Sequence, residues 1–112
     1  AGTPHLARFL QYDALREELL SPRYEGNTVH FPMCAAMFSP NCSSLPTELH
    51  HRRKRSSAGA LCNPANVVPV CHNCNMDIED RPEAAEAAGL VVREGHPEWE
   101  ALSARAWRKA HG

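Results

Sequence analysis

Four cysteines in two pairs, Cys34-x7-Cys42 and Cys71-x2-Cys74, constrain this chain more than any other feature. A C-x2-C places two sulfurs where one ion can take both, and a second pair completes a closed tetrahedral set of four thiolates. The turn residues Ser39-Pro40-Asn41 fold the first pair back on itself. Zinc bound in such a set contributes about 10–16 kcal/mol, comparable to the ~5–15 kcal/mol stability of a whole domain. The plainer alternative is four small buried thiols that hold nothing. An odd total of five cysteines argues against a disulfide framework and for a reducing compartment. Cys62, outside both pairs, reads as a small core or loop residue.

At 112 residues, a single domain over 1–112 is expected, with a modest core that a metal would staple. The formal net charge is −1, so global charge does not announce a nucleic-acid partner. The basic residues are locally concentrated, however: Arg52, Arg53, Lys54 and Arg55 are consecutive. No apolar run approaches the ~18 residues of a membrane span, and no secretory signal is visible. A cytoplasmic location without membrane contact is therefore expected.

Along the chain, Thr3-Pro4 reads as a helix start. Leu6, Phe9, Leu10 and Ala14 form an apolar stripe on a helix over about 4–20, stopping before Ser21-Pro22. Glu25-Gly26-Asn27 is a turn, and Thr28–Met33 a short strand weakened by Pro32. Leu49–Arg53 and Val67–Val70 read as antiparallel strands joined by a long loop that Ser56–Gly59 and Asn63-Pro64 punctuate. A helix follows from His72 to Asp80. Asp80-x-x-Glu83, with Pro82 between, predicts another to Ala88 and Gly89. Leu90–Val92 is extended, and Pro97 predicts a last helix over about 97–110 with Trp99, Leu102 and Ala106 on one face and Trp107 over the core's edge.

The stretch Glu48–Asn75 carries a more specific signal. His50 and His51 are adjacent, Asn66 lies fifteen residues after His51, and Asn75 follows Cys74 directly. Read as His-x14-Asn-x8-Asn beside a C-x2-C, this pattern resembles the HNH endonuclease family, in the variant whose third signature residue is Asn. The resemblance covers roughly 34–80 and runs on into EDRPEAAEAAGLVV. It implies an α+β fold: a small ββα-metal (His-Me finger) core, stapled by the four-cysteine zinc site and flanked by the N- and C-terminal helices. Many members carry two cysteine pairs around the catalytic hairpin, although the first pair is commonly spaced more tightly than Cys34 and Cys42.

The same resemblance implies roles. His51 would be the general base, and His50, where many relatives have Asp, a ligand of a catalytic divalent metal. Asn75 would hold that metal through its side-chain oxygen, and Asn66 would brace the loop and help to orient His51. Glu79, four residues past Asn75 on one helical face, is a further candidate ligand. Adjacent residues of a strand point to opposite faces, so split roles for His50 and His51 fit better than a shared ion. Arg52–Arg55 offer donors matched to phosphate. With His at 50 and Asn at 75 the site has few anionic ligands, which leaves Mg²⁺, Mn²⁺ and other first-row ions open.

The expected activity is metal-dependent hydrolysis of DNA phosphodiesters with little sequence specificity. The chain is similar to small free-standing phage HNH proteins that assist DNA packaging or processing. That likeness implies packaging proteins such as terminase as partners, in the host cytoplasm. Two rivals remain open: a four-cysteine zinc module that binds nucleic acid without cleaving it, and a packaging adaptor docking through the Trp99–Trp107 segment.

Overall fold

The computed structural model describes residues 4–111, with side chains from Leu10 onward. Thr3, and the side chains of His5, Leu6 and Phe9, lie outside the described residues. The helix α1 spans Pro4–Leu20. Its packing face differs from the expected stripe: Leu10 is 61% exposed, while Leu15 is buried and Tyr12 and Leu19 are half-buried. The face thus runs through positions 12, 15 and 19, one helical stripe rotated from the expected one.

Strands β1 (Arg23–Glu25) and β2 (Thr28–His30) follow as an antiparallel hairpin with Glu25 opposite Thr28. Gly26 at its tip has φ +59°, the left-handed backbone that a two-residue hairpin turn needs and glycine adopts without strain. All six strand residues are exposed. The expected strand over Thr28–Met33 is thus shorter, and its partner gives no sign in the sequence, because Arg-Tyr-Glu carries no apolar alternation.

The central unit is built from β3 (Glu48–His51), β4 (Val67–Val70) and α2 (His72–Asp80). The two strands are antiparallel, with His50 opposite Val68 and His51 opposite Val67. Pro69 costs this sheet nothing because it has no third strand; its carbonyl instead accepts from the Ala35 amide at 2.9 Å. α3 (Pro82–Ala87) has Pro82 in its first turn, and its N-cap, Arg81, makes no side-chain cap bond, so the expected Asp80 capping box does not form. Its end follows the expected pattern: Gly89 has φ +78° and the Leu90 amide returns to the Ala85 carbonyl at 2.9 Å.

The last helix, α4, is Ala104–His111 rather than 97–110. The Ser103 hydroxyl accepts from the Ala106 amide at 3.0 Å and sets the start. Trp99 and Leu102 belong to the turns before it, and Leu102 is 1% exposed.

The main core gathers Cys34, Val70, Cys71, Cys74, Ile78, Ala85 and Leu90. So small an apolar set makes a metal staple valuable, since burial alone stabilises short chains weakly. The result is a small α+β molecule with two two-stranded sheets and four helices among the described residues. None of those helices is long and apolar enough to cross a membrane.

Candidate metal centre and catalytic groove

Cys34 and Cys42 flank a turn that packs against the end of β4, while Cys71 caps α2 and Cys74 lies in its first turn. The four Sγ atoms lie within 4.8 Å of one another. Sulfurs ~2.3 Å from a tetrahedral ion sit ~3.8 Å apart, and Cys71 Sγ lies 3.8 Å from Cys42 Sγ. Backbone amides aim at the sulfurs: Phe38 and Ser39 donate to Cys74 Sγ at 3.3 Å, Cys71 to Cys34 Sγ at 3.4 Å, and Cys74 to Cys71 Sγ at 3.3 Å. Such donors stabilise thiolate rather than thiol.

Burial by itself would raise the Cys71 thiol, but the Cys74 amide and hydrogen bonds with Ser43 overcome it and bring it down to about 6. Cys74 goes the other way, pushed up to about 12 by burial and by its Cys71 and Cys34 neighbours. Four crowded sulfurs cannot all ionise alone; a cation among them removes that conflict. The donor set therefore fits a metal. Cys62 is buried apart from this group, and His72 turns away from the thiolates toward Glu48.

Along β3 and α2, a groove of about 1160 Å³ is bordered by His50, His51, Asn75 and Glu79. His50 Nε2 lies 2.5 Å from the Leu90 carbonyl and His51 Nε2 3.0 Å from the Leu61 carbonyl. A carbonyl only accepts, so both Nε2 atoms carry the proton and each Nδ1 keeps its lone pair. Burial is the main cause holding both imidazoles below their ordinary range. For His50 the Glu79 charge works against that depression; for His51 the Arg55 charge adds to it. Both rings are thus neutral at pH 7. Tyr12 of α1 stacks beside His51 with ring centroids 6.0 Å apart.

Asn75 Nδ2 donates to Glu48 Oε2 at 2.8 Å, which leaves its Oδ1 as an acceptor. Glu48 also receives the His72 ring at 2.9 Å, and chiefly that bond, with Asn75, holds its carboxyl below the usual range. Glu48 is absent from the sequence expectations, although a signal exists: two residues before His50 it shares that residue's strand face. The Leu61 and Leu90 carbonyls have no signal, since any residue supplies one.

Asn66 is 0% exposed and spans the loop. Its Oδ1 accepts from the Arg53 amide at 2.8 Å, and its Nδ2 donates to the Arg53 and Ala60 carbonyls at 3.1 and 2.9 Å.

The basic run divides, and half of the expected phosphate surface must be corrected. Arg53 is 7% exposed; its guanidinium stacks 3.6 Å over Trp99 and donates to the Ser57 and Trp99 carbonyls at 2.8 and 2.7 Å. Arg52 forms a two-pronged pair with Glu98 at 3.0 Å and also donates to the Gly89 and Ala65 carbonyls. Both arginines are structural, their donors spent on the fold. Lys54 and Arg55 remain exposed and without ion pairs among the described residues.

Among the described residues, the four-cysteine set is the one group of three or more His, Cys, Asp or Glu side chains at metal-holding spacing. His50 and Glu79, which border the groove with Asn75, belong to no such group. No protein-family profile, curated protein or solved structure matches the chain.

Proposed function

We propose that this protein is a metal-dependent DNA endonuclease of the HNH type, with β3, the connecting loop, β4 and α2 forming a ββα-metal core over a structural zinc. One observation carries the reading: His51, neutral and fixed through Nε2 to the Leu61 carbonyl, borders the same groove as His50, Asn75 and Glu79. An ordinary pair of surface histidines has no need of two half-buried rings, each bonded to a backbone carbonyl. In the zinc site the ion is Zn²⁺, because four thiolates in tetrahedral spacing favour it over oxygen-seeking cations.

His51 Nδ1 takes a proton from water as the water oxygen bonds to phosphorus; the P–O bond to one sugar breaks, and the departing sugar oxygen takes a proton from solvent. As the ring becomes charged, its Nε2–H bond to Leu61 O strengthens, which favours the protonated product of that step. Lys54 and Arg55 sit at the groove's edge and hold the phosphate. Glu48 holds the Asn75 amide nitrogen, which leaves the amide oxygen to act as a ligand. A divalent ion held by His50, Asn75 and Glu79 would supply Lewis-acid stabilisation of the phosphate.

The test is plasmid cleavage with Mg²⁺ or Mn²⁺. Wild type should nick, and His51→Ala should lose about 10²–10⁴-fold in rate with unchanged zinc content and melting temperature. A wild type that binds plasmid but leaves it intact in every metal would transfer the reading to the non-cleaving zinc module.

A further inference from the structure

A second cavity, of about 520 Å³, lies between the loop after β3 and α4. Its floor is apolar, with Leu61 and Ala104, and its rim is basic, with Arg55, Arg105 and Arg108 beside the Trp107 indole. Arg105 is paired with Glu100, the one acid on the rim. Arg55 and Arg108 make no ion pair among the described residues. Arg55 borders both this cavity and the His50–His51 groove, so the two concavities share one basic wall.

An apolar floor, an indole and uncompensated guanidiniums match a nucleotide: a base needs a dry aromatic surface, and its phosphates need forked donors. Trp107 borders the cavity with one face stacked on His111 at 3.5 Å, which leaves the other face for a base. A paired base cannot enter such a recess without leaving its stack. The chain's net charge of −1 gives no general attraction for DNA, which makes a local basic wall the means of holding a strand.

We propose that this α4 cavity binds one unpaired nucleotide of the DNA strand flanking the cleavage groove, its base against Trp107 and its phosphates on Arg55 and Arg108. The proposal rests on the nuclease reading for its substrate, and deepens it: single-stranded or frayed DNA is preferred over intact duplex.

The experiment uses the zinc-loaded full chain carrying His51→Ala, without added Mg²⁺ or Mn²⁺, so that bound DNA is not cut. A short oligothymidylate and a duplex of equal length are titrated, read by tryptophan fluorescence and by anisotropy at several salt concentrations. The single strand should bind more tightly and quench the tryptophan emission. Trp107→Leu should weaken single-strand binding about tenfold, and Arg108→Gln, an exposed change that leaves the fold intact, should lower the log–log salt slope by about 0.7. Equal affinity for both DNAs, or an unchanged affinity and slope in Arg108→Gln, overturns the proposal. Plasmid nicking by the chain with His51 restored is scored separately. Nicking with an indifferent cavity sinks this inference alone, whereas an affected cavity without nicking sinks the nuclease reading alone.

Discussion

Asn66 shows how much one uncharged side chain can organise. Fully buried, it closes the loop after β3 by satisfying the Arg53 amide and two carbonyls at once. Alanine there leaves three backbone groups without partners, and an unsatisfied buried group costs ~1–3 kcal/mol. Asn66→Ala should therefore destabilise the protein by about 2–4 kcal/mol, measured by urea unfolding. Asn66→Asp should not rescue it, because a carboxylate facing the Arg53 and Ala60 carbonyls has no N–H to offer. If Asn66→Ala unfolds at the wild-type urea concentration, the loop is held by something else. Arg53 and Trp99 work in the same way, one guanidinium serving two carbonyls and an indole face. Lysine would not replace that planar fork.

At the level of elements, β4 and α2 are joined through the metal site itself. Cys71 ends the strand and caps the helix, accepting from the Cys74 amide, and Cys74 in turn accepts from the Phe38 and Ser39 amides of the first cysteine turn. The helix that presents Asn75 and Glu79 is thus anchored at its N-terminal end by two of the four clustered cysteines. Removing one thiolate should do more than weaken a surface. Cys42→Ser and Cys71→Ser should each lose zinc by elemental analysis and melt at least ~10 °C lower, on the scale of a zinc contribution of about 10–16 kcal/mol. Clean wild-type protein free of zinc, whose melting curve strong chelation leaves unmoved, would refute the four-thiolate site.

Across the whole molecule, the depressed histidines set an acid limit. The folded protein keeps His50 and His51 neutral where the unfolded chain would protonate them near pH ~6.5. The unfolded state then binds more protons, so stability present above about pH 6.5 is lost as pH falls toward the folded values. Urea midpoints should drop between about pH 7.5 and 5.5, and drop less in a His50→Gln/His51→Gln double variant; equal drops would mean that other groups set the limit. Much of the central unit is legible in the sequence because its signals are local. The C-x2-C and the helix His72–Asp80 fall where spacing alone puts them, and β3 and β4 pair antiparallel as expected, although β3 is Glu48–His51 rather than Leu49–Arg53. What stays hidden depends on distance. Arg52 and Arg53 read as a phosphate-binding run because Glu98 and the Trp99 carbonyl, 46 residues away, do not announce themselves. The packing face of α1 is poorly marked because long-range contacts choose it: among its described residues, Tyr12 stacks on His51 and Arg16 donates to the Thr47 carbonyl. Pro97 suggests a helix start that the chain does not use; the cap at Ser103 begins α4 at Ala104 instead, and the residues between form turns.

The loop between β3 and β4 folds back so tightly that a Cβ at Gly59 would stand 1.9 Å from the Arg53 carbonyl oxygen. The atoms in the way, the Arg53 carbonyl and the Lys54 carbonyl oxygen, are all backbone and leave little room to yield, and the bridge from Gly59 to Ser103 ties the same point to the start of α4. Position 59 is consequently closed to every residue with a side chain. Selection for this loop geometry would have to keep glycine there. A diverged sequence with matching cysteine and histidine spacing but a bulkier residue at this point must route its loop differently, and with it the wall that the groove and the α4 cavity share.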